Sequence, residues 1–178
     1  MRTKDLPSVA RDVFHPPGSL ASMNFNFKDE SVSNDVIPQS AVVAFRAGRD
    51  GPEVLLITSR DTGRWVLPKG NIKSGLSAAK SAAEEAFEEA GIFGKVMTPS
   101  VGRYKYSKSG GNGRVTCKVE VFLMAVNRIK NDWPEKSERK RKWMTIPKAA
   151  QMVHERKLSS LLHRVASRIE AKTQSKAA

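Results

Sequence analysis

The clearest periodic signal in the chain is RVTCKVEVFLMAV, residues 114–126. Apolar side chains recur there at Val115, Cys117, Val119, Val121 and Leu123. A period of two is that of a strand with one face on a core, so a half-buried strand is expected. Two shorter runs rich in β-branched residues, SAVVAFRA and EVLLITSR, flank the turn sequence RDGP and predict a pair of buried strands. DTGRWVLPKG then reads as a turn, a brief strand and a glycine-bearing loop, GKVMTPSVGRYKYSK as extended chain, and SGGNG as a loop tip. KWMTI predicts a last short strand.

Three segments carry a helical pattern. The first spans Leu76 to Ala90 and is stopped by Gly91, a residue that readily takes the left-handed conformation ending a helix. Pro147 stands where a proline can open a helix, and KAAQMVHE and LSSLLHRVASRIEAK follow as two terminal helices, the second amphipathic. Strands on both sides of one glutamate-rich helix predict an α/β or α+β sandwich. Residues 1–37, with Pro7, Pro16, Pro17, Gly18 and a polar run, read as a partly ordered N-terminal arm. Residues 38–172 read as the folded domain and 173–178 as a tail.

Charge changes the picture most within the first helix. The chain carries a formal charge of +13, which points to an anionic partner or substrate. Yet Glu84, Glu85, Glu88 and Glu89 crowd into six consecutive residues. At about 100° per residue, Leu76, Ala79, Ala83, Ala86, Phe87 and Ala90 share one face, and Glu85, Glu88 and Glu89 lie opposite. Carboxylates four apart repel by roughly 0.2–0.5 kcal/mol per pair. They also sit toward the helix end whose dipole disfavours them, and no lysine follows within the next turn. A solvated acidic face is one reading. A hard divalent cation is the other, since Mg²⁺ takes oxygen ligands from carboxylates and substrate phosphates.

The loop and helix together resemble the Nudix box, G-x5-E-x7-R-E-U-x-E-E-x-G-U, where U is apolar. The first glycine aligns with Gly70, and the closing segment with Glu85, Ala86, Phe87, Glu88, Glu89, Ala90, Gly91 and Ile92, without a gap. Two positions depart: the early glutamate is Leu76, and the arginine is Glu84, so both members of a usual acid–base pair are absent together. EVLLITSRDTGRWVLPKG, and the Arg139, Lys140, Arg141 and Trp143 cluster before IPKAAQMV, are similar to the diphosphoinositol polyphosphate phosphohydrolase branch. The PKG entry, with Lys69, is also seen in dinucleoside polyphosphate hydrolases of the same superfamily.

This resemblance covers roughly residues 40 to 170. It implies an α/β/α sandwich with a mixed β-sheet. It also implies hydrolysis of a phosphoanhydride in a nucleoside-diphosphate-linked compound, a dinucleoside polyphosphate or a diphosphoinositol polyphosphate. By the same resemblance, Gly70, Glu85, Glu88 and Glu89 hold Mg²⁺, with Mn²⁺ as an alternative. Glu88, or next Glu85, is the expected catalytic base, with Glu120 a remote candidate. Arg60, Arg64, Lys69, Arg139 and Arg141 are the expected phosphate-binding residues, through bidentate or point-charge contacts. Trp65 and Trp143 read as packing, and His154 and His163 as surface helix residues.

Two rivals are weighed. A P-loop is argued against because GNIKSGLS has Leu76 where lysine should follow. A silent Nudix-fold module binding a nucleotide or RNA is favoured by Leu76 and Glu84 and opposed by the three intact glutamates. An aromatic content of 7% offers little stacking surface, so nucleic acid is not the favoured partner. No apolar run is long enough to span a bilayer, and the start lacks the uninterrupted apolar stretch expected of a secretory signal; it is basic and contains Ser, as a transit peptide would, while Asp5 and Asp12 count against one. The single cysteine, Cys117, permits no intrachain disulfide, and cytoplasmic residence is expected. Oligomeric state is left open.

Overall fold

A computed structural model describes residues 36–110 and 113–175. The expected arm therefore lies outside the described residues except for Val36 and Ile37, as do Gly111 and Asn112 at the loop tip and the last three residues of the tail.

The elements follow the order β1 (Val36–Gly48), β2 (Gly51–Thr58), β3 (Trp65–Val66), β4 (Lys69–Asn71), α1 (Ala78–Ala90), β5 (Ile92–Gly110), β6 (Gly113–Ile129), β7 (Arg141–Thr145), α2 (Ile146–Met152) and α3 (Arg156–Gln174). The sheet runs β3-β2-β1-β6-β5, with β4 paired to β1 and β7 to β2. β1 and β6 are parallel, and the other pairs are antiparallel, so the sheet is mixed.

Alternation along the central strands sends side chains into two cores. Ala41, Val43 and Phe45 of β1 join Val119, Val121 and Leu123 of β6 beneath α2 and α3. Val42 and Ala44 join Phe122 and Met124 beneath α1. Helices thus cover both faces, and the chain is an α/β/α sandwich. β6 was expected to be half-buried, but from Val121 to Met124 it is buried on both faces, because α1 closes the side that an exposed sheet would give to water. Trp65 and Trp143 pack against the two cores, as expected.

The terminal helices form where the pattern places them. α3 buries Leu158, Leu161, Leu162, Val165 and Ile169, spacings of three and four that make one stripe. It continues through Gln174, past the expected boundary at 173. His163 is exposed on α3 as expected, whereas His154, expected on a helix, is exposed in the link between α2, which ends at Met152, and α3.

α1 begins two residues later than expected. Ser77 is extended and its hydroxyl caps the helix, accepting from the Lys80 N–H at 3.3 Å. Gly91 closes it at φ 64°, donating its N–H to the carbonyls of Ala86 and Phe87. The buried face of α1 differs from the expected one. Ser81, Ala82, Ala86, Glu89 and Ala90 are buried, whereas Ala79, Ala83 and Phe87 are only half-buried. The helix packs against β4 and the chain near Arg139 as well as against the sheet centre. That rotation carries Glu89 inside rather than away from the core.

Candidate active site

β4 is a three-residue strand whose whole length pairs with Gln39–Ala41 of β1, setting Gly70 opposite Ser40. This pairing brings the Gly70 backbone onto the Glu85 side chain: a methyl at Gly70 would lie 2.1 Å from the Glu85 carboxyl carbon. A methyl there would meet the end of the Glu85 side chain, which must swing aside. Gly70→Ala is expected to displace that carboxylate at little cost to the fold, within about 0.5 kcal/mol, and to lower metal-dependent turnover. Urea unfolding beside kinetics checks this, and a large loss of stability with normal turnover would contradict it.

After Gly70 the chain is pinned to α1 by the Lys73 N–H donating to the Ser81 hydroxyl at 3.0 Å. The Lys73 ammonium reaches Glu84 at 2.9 Å and Glu88 at 2.7 Å. The box's own pair is absent at Leu76 and Glu84, and a different ion pair stands beside it. The loop supplies a cation and the helix an anion, reversing the polarity of the Nudix-box pair. The carboxylates lacked a lysine after them; the lysine that compensates precedes them.

Glu89 is 4% exposed. One oxygen accepts from the Lys69 backbone N–H at 2.8 Å and the other from the Arg139 guanidinium. Burial pushes its pKa up to about 7, although Arg139 and the Lys69 N–H both pull it down. Glu85 is half-buried, and burial first, then the neighbouring Glu88, raises its pKa. Lys73 and Arg139 are engaged by its neighbours, and Glu85 forms no salt bridge among the described residues. Glu120 differs: Ser100 and Arg103 each reach it at 2.7 Å, and these bonds lower its pKa.

The expected phosphate-binding residues divide. Arg64 is exposed, and Arg60 is exposed with Glu138 at 3.4 Å and Glu135 at 3.6 Å. The Lys69 ammonium lies 5.1 Å from the Tyr106 ring, and burial lowers its pKa. Arg139 and Arg141 have their donors engaged by the protein instead. Arg139 is buried and donates to Glu89, Glu135 and the Thr58 carbonyl. Arg141 donates to the carbonyl of Ala90 at the C-terminal end of α1 and to that of Lys130 just after β6, and its guanidinium stacks 3.9 Å over Trp133. Buried acceptors at a helix end demand such partners. Lys73 and Glu135 were missed from sequence, because neither falls at a position the box specifies.

The NUDIX domain model matches residues 37–164. The chain belongs to the NUDIX family. Among Nudix proteins it is similar to Nudix hydrolase 12, mitochondrial, of Arabidopsis thaliana, with 32% identity over 109 residues, 56% of this chain and 51% of the relative. It is also similar to the diphosphoinositol polyphosphate phosphohydrolase 3-beta of Bos taurus, with 26% identity over 117 residues, 65% of this chain and 68% of that relative. The chain spans about half the length of the plant relatives it matches. The Nudix fold itself is shared with a C. elegans Ap4A hydrolase at TM-score 0.55 and 19% identity, covering 75% of this chain and 98% of the other. No described helix is long and apolar enough to cross a membrane.

The donors around Gly70 suit a hard cation. All are oxygens, the Glu85 and Glu89 carboxylates are held where burial disfavours their charge, and each bonded oxygen of Glu89 keeps a further lone pair. Arg139 and the Lys69 N–H orient Glu89 as outer partners orient a ligating carboxylate. Among the described residues no three such side chains already converge on one point. Glu88 is drawn onto Lys73 instead.

Proposed function

We propose that this chain is a Mg²⁺-dependent pyrophosphohydrolase, with Mn²⁺ able to substitute. Its substrate is a small, highly anionic phosphoanhydride: a nucleoside-diphosphate-linked compound, a dinucleoside polyphosphate or a diphosphoinositol polyphosphate. The observation that carries this reading is the packing of Gly70 directly on Glu85, with Glu88 and Glu89 on the same helix. The names of the curated relatives and the charge of +13 support the same class.

Gly70, Glu85, Glu88 and Glu89 would hold a divalent cation, which would neutralise charge on the substrate's phosphates and make water more acidic. Glu85 takes the proton from the attacking water. Glu88 was the first choice from sequence and Glu85 the second; Glu85 is preferred because its carboxylate lies beside Gly70 and forms no salt bridge among the described residues. Arg60, Arg64 and Lys69 hold the substrate phosphates. Arg139 and Arg141 act on the protein: the first orients Glu89 and the second secures the end of α1.

A silent nucleotide-binding module is the second reading, favoured by Leu76 in the box and by the Lys73 contact to Glu88. Cytoplasmic residence was expected, while three plant relatives are mitochondrial by name. A panel of phosphoanhydrides with Mg²⁺ and with Mn²⁺, products identified by mass spectrometry, tests the proposal. Metal-dependent cleavage between two phosphates is expected. Tight binding without turnover of any compound would favour the silent module.

A further inference from the structure

The ammonium of Lys73 is a feature of the site that the Nudix box does not describe. It sits 2.7 Å from Glu88 and 2.9 Å from Glu84, on side chains each roughly one-third to one-half exposed. Its backbone is anchored separately, through the bond to Ser81. The side chain can therefore move while the loop stays in place. Glu88 is one of the oxygen donors proposed for the divalent cation, and an ammonium 2.7 Å from that carboxylate would repel a cation bound to it. Glu84, one turn earlier on the helix, offers the ammonium a second acceptor.

Resting on the metal-binding reading above, we propose that Lys73 is a tethered counter-ion. It holds Glu88 in the metal-free protein and is displaced from Glu88, though not from Glu84, when a divalent cation binds. Glu84 thus does more than fill the place of the box arginine. It receives the displaced ammonium and keeps the cost of displacement small.

The test measures Mn²⁺ binding to the substrate-free protein by electron paramagnetic resonance. Four chains are compared: wild type, Lys73→Met, Glu84→Gln and the double variant, with Glu88→Gln as a reference. Methionine keeps the stem of the side chain, and thermal melts confirm folding. Part-exposed ion pairs are weak, so Lys73→Met should tighten Mn²⁺ binding by roughly two- to five-fold. Glu84→Gln should weaken it in the presence of Lys73 and do so distinctly less in the Lys73→Met background. That non-additivity separates displacement from a general change of field.

Equal Mn²⁺ affinity in wild type and Lys73→Met, with binding still lost in Glu88→Gln, overturns the counter-ion alone. So does an identical effect of Glu84→Gln in both backgrounds. Absence of saturable binding in every variant overturns the metal site together with the counter-ion.

Discussion

Glu85→Gln is expected to lower metal-dependent turnover by roughly 10²–10⁴-fold, the usual contribution of a positioned general base. The substitution also exchanges an anionic metal donor for a neutral amide oxygen, so Mn²⁺ affinity is measured beside turnover. Glutamine has the same shape, so the contact with Gly70 is retained, and no salt bridge among the described residues is lost. An amide cannot accept the proton of the attacking water. The burial that raises the pKa of Glu85 no longer has an anion to act on. Thermal stability should hold or rise slightly, since the mutual repulsion with Glu88 disappears. Steady-state kinetics with a cleaved phosphoanhydride, beside a melting curve, checks both halves. Near-normal turnover in a folded variant would move the base elsewhere, with Glu88 next in line.

Arg139→Leu is expected to cost the largest amount of stability, about 3–5 kcal/mol, because it strands partners of a buried ion pair. Arg139 is inside the protein, bonded to Glu89, Glu135 and the Thr58 carbonyl. Leucine fills part of the volume and satisfies none of the three. The loss should depend on pH, with a definite sign. The pKa of Glu89 in the folded protein is raised to about 7 from an ordinary 4.5. Its contribution is therefore fully present below 4.5 and is lost as pH rises through about 7. Without Arg139 the charged form is disfavoured further, so the loss extends to higher pH. Urea unfolding at pH 5 and pH 8 should show the larger penalty at pH 8. A penalty under about 1 kcal/mol at both would place Arg139 among weak surface pairs.

Much of this architecture is legible from local pattern. The alternation of β6, the Gly91 stop and the apolar stripe of α3 are one-dimensional signals, since each follows from the repeat of a single element. The spacing from Gly70 to Gly91 likewise marks the family before any coordinates. The roles of cations are not legible in this way. Arg139 and Arg141 are two residues apart in a basic run, yet one enters the core beside Glu89 and the other reaches the carbonyl of Ala90. Lys73 finds Glu84 and Glu88 only because β4 pairs with β1 and turns the loop back over α1. The helix face was misread for a related reason. An alanine-rich stripe marks what can pack closely, whereas the partners from β4 and from the chain near Arg139 decide what does. Glu89, polar by composition, is buried because two donors from distant parts of the chain meet it there.

The most direct test is diffraction from crystals grown with Mn²⁺ and a non-hydrolysable phosphoanhydride analogue, with anomalous data at the manganese edge. An anomalous peak is expected beside Gly70 and the carboxylates of α1, next to the analogue's phosphates, with Glu88 released from Lys73. Glu88 still bound to Lys73, with the analogue elsewhere and no peak beside Gly70, would contradict it.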